Sequence, residues 1–336
     1  MVHLRIVVPA AKSERVLDLL EATPSVSSLA CMEGAARKPK GDVILCDVAR
    51  EDASVVIGDL KEIGVAEEGS ISIVEVASQI SAAAVRAERA AGKHPGDAVV
   101  WEEVESRTSE SIELNANFLA FIVLACLIAS AGVLLGQPIL IVGAMVVGPE
   151  FGPLAGLCVA VVERRPDVAM RSLSALAVGF PLGITAAFLF GICARYTGLV
   201  GSGFELGEHL LTAFISHPNK FSFIVALFAG VAGMLSLTSA KSGALIGVLI
   251  SVTTIPAAAA IGIGAAYGDW AAWLGSIEQL AINLAAILLA GVVTLLVQNA
   301  SFQRRRRRHL AEGSRAAGGL PIEPQHRRER HRPGPT

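Results

Sequence analysis

The sequence predicts an α-helical polytopic membrane protein: six spans in a 3+3 inverted repeat with two discontinuous helices, preceded by an α+β ferredoxin-like (βαββαβ) soluble domain. Three observations carry that prediction. Of 336 residues, 53% are hydrophobic and only 17% charged, and the mean hydropathy of +0.58 is far above that of soluble domains. An apolar span is interrupted by Gly148-Pro149-Glu150-Phe151-Gly152-Pro153, and about 104 residues later another is interrupted by Ser251-Val252-Thr253-Thr254-Ile255-Pro256. Breaks at corresponding positions in two halves of a membrane chain mark cores built from discontinuous helices. Finally, Lys and Arg alternate between sides from one interspan loop to the next.

Residues 1–76 read as the soluble domain. Leu4 to Val8 alternates like a strand, and Ser13 to Ala22 places Val16, Leu19 and Leu20 on one helical face. Ser25 to Cys31 and Asp42 to Val48 are β-rich runs around a Gly/Lys turn, Asp52 to Ile63 is a second amphipathic helix, and Ser70 to Val76 a last strand. The order is that of the split βαββαβ unit. No Gly-rich phosphate loop accompanies it, so an assembly or scaffolding role is expected. Residues 77–113 read as a helical linker: Ala77 to Ala91, a turn at Lys93-His94-Pro95-Gly96-Asp97, then a helix from Val99 to about Glu113 lying at the membrane interface. Trp101 is expected at headgroup depth and the glutamates in water.

The membrane domain is expected over 114–300, with spans near 115–135, 138–162, 168–194, 220–238, 242–267 and 275–299. Each is near or above the roughly 20 residues that cross about 30 Å of hydrocarbon. Placing the N-terminus in the cytoplasm puts Arg164, Arg165, Lys241 and Arg304 to Arg308 on that side, and leaves Gln137, 196–219 and Asp269-Trp270 opposite. Both termini are then cytoplasmic. The repeats run about 101–195 and 204–299: Phe118 onward matches Phe221 onward, Gly143 matches Gly247, and Phe204 to Ile215 mirrors the helix before the first copy. Three spans per copy is odd, so the second copy is inverted. Residues 301–336 read as a disordered basic tail that fixes topology, with anionic lipid as a partner for Arg304 to Arg308. The opening MVHLRIVVPA has no basic n-region ahead of a cleavable apolar stretch, so the first span is expected to direct insertion.

The stretch LNANFLAFIVLACLIASAGVLLGQPILIVGAMVVGPEFGPLAGLCVAVVERRPDVAMRSLSAL resembles the domain-of-unknown-function 389 family of prokaryotic membrane proteins. So do VVWEEV before it and ISHPNKFSFIVALFAGVAG, LISVTTIPAAAAIGIG and INLAAILLAGVVTLL after it. The likeness runs over roughly 97–299. It implies a prokaryotic inner-membrane protein and supplies no substrate. In the family the first break tends to be an apolar Pro-Leu-Met-Gly-Pro segment, whereas this chain carries Glu150 there.

The breaks are the candidate site. Pro149 and Pro153 lack an N–H, and Gly148 and Gly152 lower the cost of leaving helical geometry. Backbone polar groups at membrane depth are tolerated only where protein or water satisfies them, so breaks mark a cavity. Half-helices starting near Phe151 and Ile255 would aim N–H groups and partial positive charge into it. Glu150 is expected to face that cavity near the midplane, because an intramembrane carboxyl is costly unless paired, protonated or solvated. The predicted substrate-binding set is Gly148, Pro149, Glu150, Phe151, Gly152, Pro153, Ser251, Thr253, Thr254, Ile255, Pro256 and Asn283. Gly152-xxx-Gly156 and Gly243-xxx-Gly247 read as close helix packing. Cys31, Cys46, Cys126, Cys158 and Cys193 show no CxxC spacing, so no metal site or disulfide framework is expected. No cofactor motif is present. HExxH, an intramembrane GxSG with His, and paired intramembrane Asp are absent, so no enzyme is expected. No nucleic acid partner is expected.

The function expected is secondary transport of a small polar or charged solute through a homo-oligomer, dimer or trimer. A channel built on the same breaks is the first alternative, and a sensor or assembly platform acting through the N-terminal domain the second. Single cysteines near Gln137, Gly203 and Trp270 should label from outside, and those near Lys241 and Arg305 should not. Labelling of the 203 and 241 positions from one side would overturn the inverted repeat.

Overall fold

The computed structural model describes residues 1–76, 78–92, 99–199, 220–239, 253–310 and 313–322. The chain divides into two compact units, Met1–Glu103 with Gln298–Thr336, and Val104–Val297.

In the first unit, β1 (Val2–Val8), β2 (Val26–Arg37), β3 (Lys40–Val48) and β4 (Ser70–Glu75) form an antiparallel sheet in the order β2-β3-β1-β4. Helices α1 (Ala10–Glu21) and α2 (Arg50–Glu62) make the two crossovers, and a four-residue helix α3 (Val65–Glu68) precedes β4. The chain order follows the expected split unit with α3 added. Alternation in β1 sends Val2, Leu4, Ile6 and Val8 to one face, where they meet Ile44, Cys46 and Val48 of β3. The helical spacing of Val16, Leu19 and Leu20 in α1 and of Val56, Ile57 and Leu60 in α2 closes that face. Full burial of each such side chain contributes about 1.5–3 kcal/mol. Burial, with the charge of Asp47 beside it, pushes the Cys46 thiol up to about 12, so it acts as an apolar packing group.

The linker and the basic tail differ from expectation. Helix α4 begins at Ala82 rather than Ala77 and runs to Ala91, because the Ser81 side chain accepts the Ala84 N–H as an N-cap. Helix α5 (Trp101–Ser111) begins inside the first unit. Trp101 is buried, its backbone N–H donates to Ser54 Oγ at 2.9 Å, and its ring lies 6.2 Å from that of Phe302. Glu102 accepts from Ser54 Oγ and Lys61 Nζ, and Glu103 accepts from Arg50, so these carboxylates are held by the sheet domain rather than left in water.

The described tail residues, 301–310 and 313–322, belong to this unit. Helix α12 (Trp270–His309) continues through the arginine run, and α13 (Gly313–Ala317) follows. Leu320 enters the sheet-domain core. His309 Nε2 lies 2.6 Å from Asp59 Oδ2, Arg315 Nη1 donates to Asp59 Oδ1, and Arg315 Nη2 donates to Glu62 Oε2 at 2.9 Å. Asp59 and Arg315 are 3% and 2% exposed. Arg15 Nε donates to the Gly318 carbonyl, and Arg305 pairs with Asp52. Basic residues read as solvated tail therefore have acidic partners on α2, the buried Asp59 among them, a long-range pairing that no local pattern contains.

In the second unit, α6 (Ala116–Leu134) is capped by Asn115, whose Oδ1 accepts the Phe118 N–H at 2.8 Å. Helix α7 (Pro138–Val147) starts with Pro at its first turn and stops at Gly148, which is extended ahead of Pro149. Helix α8 (Phe151–Glu163) resumes at a 50° bend and ends at Arg164 in the left-handed region. Helix α9 (Pro166–Tyr196), α10 (Lys220–Thr238), α11 (Thr254–Tyr267) and α12 complete the described elements. Among the described residues, four helices are long and apolar enough to cross a membrane, and five spans result if α7 and α8 count as one. The fifth expected span, 242–267, is represented by the 14-residue α11, its first half lying outside the described residues along with Phe204 to Ile215, Lys241, Gly243 and Gly247.

Small residues bring these helices to backbone contact. A Cβ on Gly262 of α11 would meet the Ala187 Cβ at 2.6 Å and the Ile184 carbonyl at 2.7 Å, and one on Gly183 of α9 would meet Cys126 Sγ at 2.6 Å. Gly156 packs equally closely on Ser172 and Ile112, as expected for Gly152-xxx-Gly156.

Removing one partner of a buried ion pair costs about 3–5 kcal/mol. Arg315→Ala should therefore destabilise the first unit by about that amount and speed amide hydrogen exchange along α2 and residues 305–320. Unchanged exchange would show that the tail has no grip on the domain.

Candidate functional site

The two breaks meet. Glu150, the residue before α8, turns its side chain to Thr254, the first residue of α11, and Glu150 Oε1 accepts the Thr254 hydroxyl at 2.7 Å across 104 residues of chain. Glu150 is 2% exposed and Thr254 fully buried. The other carboxyl oxygen, Oε2, is buried without a hydrogen-bond partner among the described residues. It folds back over the bend: a Cβ on Gly148 would lie 2.3 Å from Glu150 Oε2 and 2.7 Å from Ile255 Cγ1. Only glycine leaves room at 148 for both the carboxyl group and the second break. Pro153 and Pro256 each occupy the third position of their helix, where a missing N–H breaks no internal bond.

A second polar chain reaches the crossing from α12. Gln279 Nε2 donates to Asn283 Oδ1 at 3.2 Å, and Asn283 Nδ2 donates to Thr253 Oγ1 at 2.7 Å. Thr253 is the residue immediately before α11. Gln279 and Asn283 are 2% and 1% exposed, and Gln279 Oε1 is buried with no partner among the described residues. Both orphaned atoms, Glu150 Oε2 and Gln279 Oε1, are acceptors, so this polar network is short of donors. The sequence reading missed Gln279. Its signal was present: it lies four residues before Asn283, on the same helical face.

The break also borders a cavity of about 280 Å³, lined by Thr108, Ser111, Gly148, Pro149, Phe151, Gly152, Ala155 and Leu237. The expectation that Glu150 faces the cavity at the break is corrected for this cavity. Glu150 is not among its lining residues, because its carboxyl group crosses to Thr254 on the other break. Of the predicted set, Gly148, Pro149, Phe151 and Gly152 line the cavity. Gly148, Glu150, Thr253, Thr254, Ile255 and Asn283 form the crossing, and Pro153 and Pro256 are buried helix-start residues. Ser251 lies outside the described residues.

Residues 145–289 match the family described as Domain of unknown function (DUF389). Over those residues the chain is similar to this family. The matched segment is shorter than the 97–299 likeness seen in the sequence, yet it contains both breaks, Gln279 and Asn283. An uncharacterized protein of Methanocaldococcus jannaschii is 27% identical over 202 residues, which are 59% of this chain and 60% of that relative. The chain thus spans about 60% of the length of the curated relative it matches. No solved structure matches the chain.

Two substitutions in the matched segment test the crossing. Thr254→Val keeps the shape but leaves both Glu150 oxygens without a donor, at a cost of about 1–3 kcal/mol. Gly148→Ala forces an extra carbon between Glu150 and Ile255, an overpacking cost of about 1–3 kcal/mol. Both should lower the thermal midpoint in detergent. Wild-type stability of the two variants would mean that the breaks are not in contact.

Proposed function

We propose that the protein is a secondary transporter of a small polar or charged solute, its site lying where the two helix breaks meet. One observation carries the reading: the Glu150–Thr254 hydrogen bond joins two interruptions far apart in the chain, each at the start of a short apolar helix. Discontinuous helices that converge inside an apolar bundle supply polar groups for a solute where continuous helices have none to spare. The adjoining cavity of about 280 Å³ is sized for a small solute, near the lower limit of ligand pockets.

This reading takes the domain as a 3+3 inverted repeat of six spans in a prokaryotic inner membrane, with both termini cytoplasmic. The matching helix-start prolines, Pro153 and Pro256, support the repetition, and the loop charges support the orientation. Close small-residue packing suits assembly into a homo-oligomer. The exposed Arg304, Arg307 and Arg308 at the end of an apolar helix suit contact with anionic lipid. A regulatory part for the N-terminal domain is favoured by its grip on the C-terminal segment through Asp59 and Glu62.

Counterflow in proteoliposomes, run over a panel of amino acids, organic acids and inorganic ions, provides the test. Saturable exchange of one solute class is expected, with at least a tenfold loss in Gly148→Ala. Flux that rises linearly with concentration would indicate a channel. No solute moving faster than through protein-free liposomes would overturn transport altogether.

A further inference from the structure

The carboxyl group at the crossing has an unusual environment. One oxygen is held by the Thr254 hydroxyl, while the other, Oε2, is buried beside Gly148, where an added Cβ would also meet Ile255 Cγ1, and has no donor among the described residues. From α11 it is faced by Thr254 and Ile255, and from the end of α7 by Gly148. From α6 the Cys126 thiol is within electrostatic range. Thr253, Asn283 and Gln279 form the neighbouring polar chain, and none of them is charged. Among the described residues no lysine, arginine or histidine is paired with Glu150, so none of them balances a negative charge there.

An isolated carboxylate away from water is among the costliest groups a fold can hold, and the penalty vanishes when a cation binds it. A metal ion is the poorer fit. Hard cations take several oxygen ligands, about 6–8 for Ca²⁺, and the space over Gly148 beside Oε2 would not admit even a methyl group without meeting Ile255 Cγ1. A proton needs neither room nor further ligands.

We infer that the crossing of the two breaks is a binding site for one proton, carried on Glu150 Oε2 while Thr254 holds Oε1. Parting of the breaks removes the Thr254 donor and admits water to Oε2, so the proton leaves when the crossing opens. Solute passage and proton release then share one gate. That consequence rests on the transport reading, whereas proton occupancy is measured without any flux.

Infrared spectroscopy of the full chain in lipid nanodiscs at neutral pH is the test. A protonated-carboxyl C=O band is expected in the parent protein, absent from Glu150→Gln and displaced in Thr254→Val, which removes the hydrogen bond to that carbonyl. Should Glu150→Gln fail to fold, the displacement in Thr254→Val decides. Absence of the band at neutral pH, a band that neither variant changes, or a band lost when sodium chloride replaces choline chloride would each overturn the proton site, the last in favour of a metal cation. The band without flux in the counterflow assay would discard transport and keep the proton site. Flux without the band would do the reverse.

Discussion

A helix interrupted inside an apolar bundle leaves polar groups that hydrocarbon cannot satisfy, and the Val104–Val297 unit is organised around that constraint. Its answer is to set one interruption against another. The Thr254 hydroxyl at the start of α11 meets the Glu150 carboxyl group at the start of α8, and Thr253 beside it receives the Asn283 amide. Two local defects thereby become each other's partners. The solution is incomplete, since Glu150 Oε2 and Gln279 Oε1 have no donors among the described residues. Incompleteness at a buried, otherwise well-packed crossing is the reason to read it as a site rather than a fold-stabilising knot.

The crossing depends on how closely the helices approach. Gly148 leaves no side chain between Glu150 and Ile255, and Gly262 lets α11 lie against the backbone of α9 at Ile184 and Phe188. Larger residues at these positions would hold α11 away from its neighbours and draw Thr254 back from Glu150. The far end of α11 is fixed as well, by the Arg195 guanidinium donating to the Ala266 carbonyl and lying 5.9 Å from the centre of the Tyr267 ring. Packing precision, more than any one polar contact, keeps the 2.7 Å hydrogen bond in register.

The sheet-domain unit follows a different logic. Its core is a conventional half-buried sheet under two helices, but the acidic side of α2 is completed by the chain's own end through Arg305, His309 and Arg315. Helix α12 runs unbroken from Trp270 to His309, so the residue that bonds Thr253 and the residue that bonds Asp59 belong to one helix.

The sequence by itself determined whatever is periodic or locally punctuated. Strand alternation at Val2 to Val8, the helical spacing of Val16, Leu19 and Leu20, the break at Gly148-Pro149, and the apolar lengths of α6, α9, α10 and α12 were all legible, because each is set by neighbours a few residues away. The site was legible as a list: Glu150, Thr253, Thr254 and Asn283 stood out as polar groups in apolar surroundings. What those groups do to one another was decided by tertiary structure alone. Glu150 met Thr254, Asn283 met Thr253, Trp101 met Ser54, and Arg315 found Asp59, each pairing spanning from tens to hundreds of residues. A buried polar atom takes whichever partner the packing brings within about 3 Å, and distance in space is not written in the local pattern of a chain.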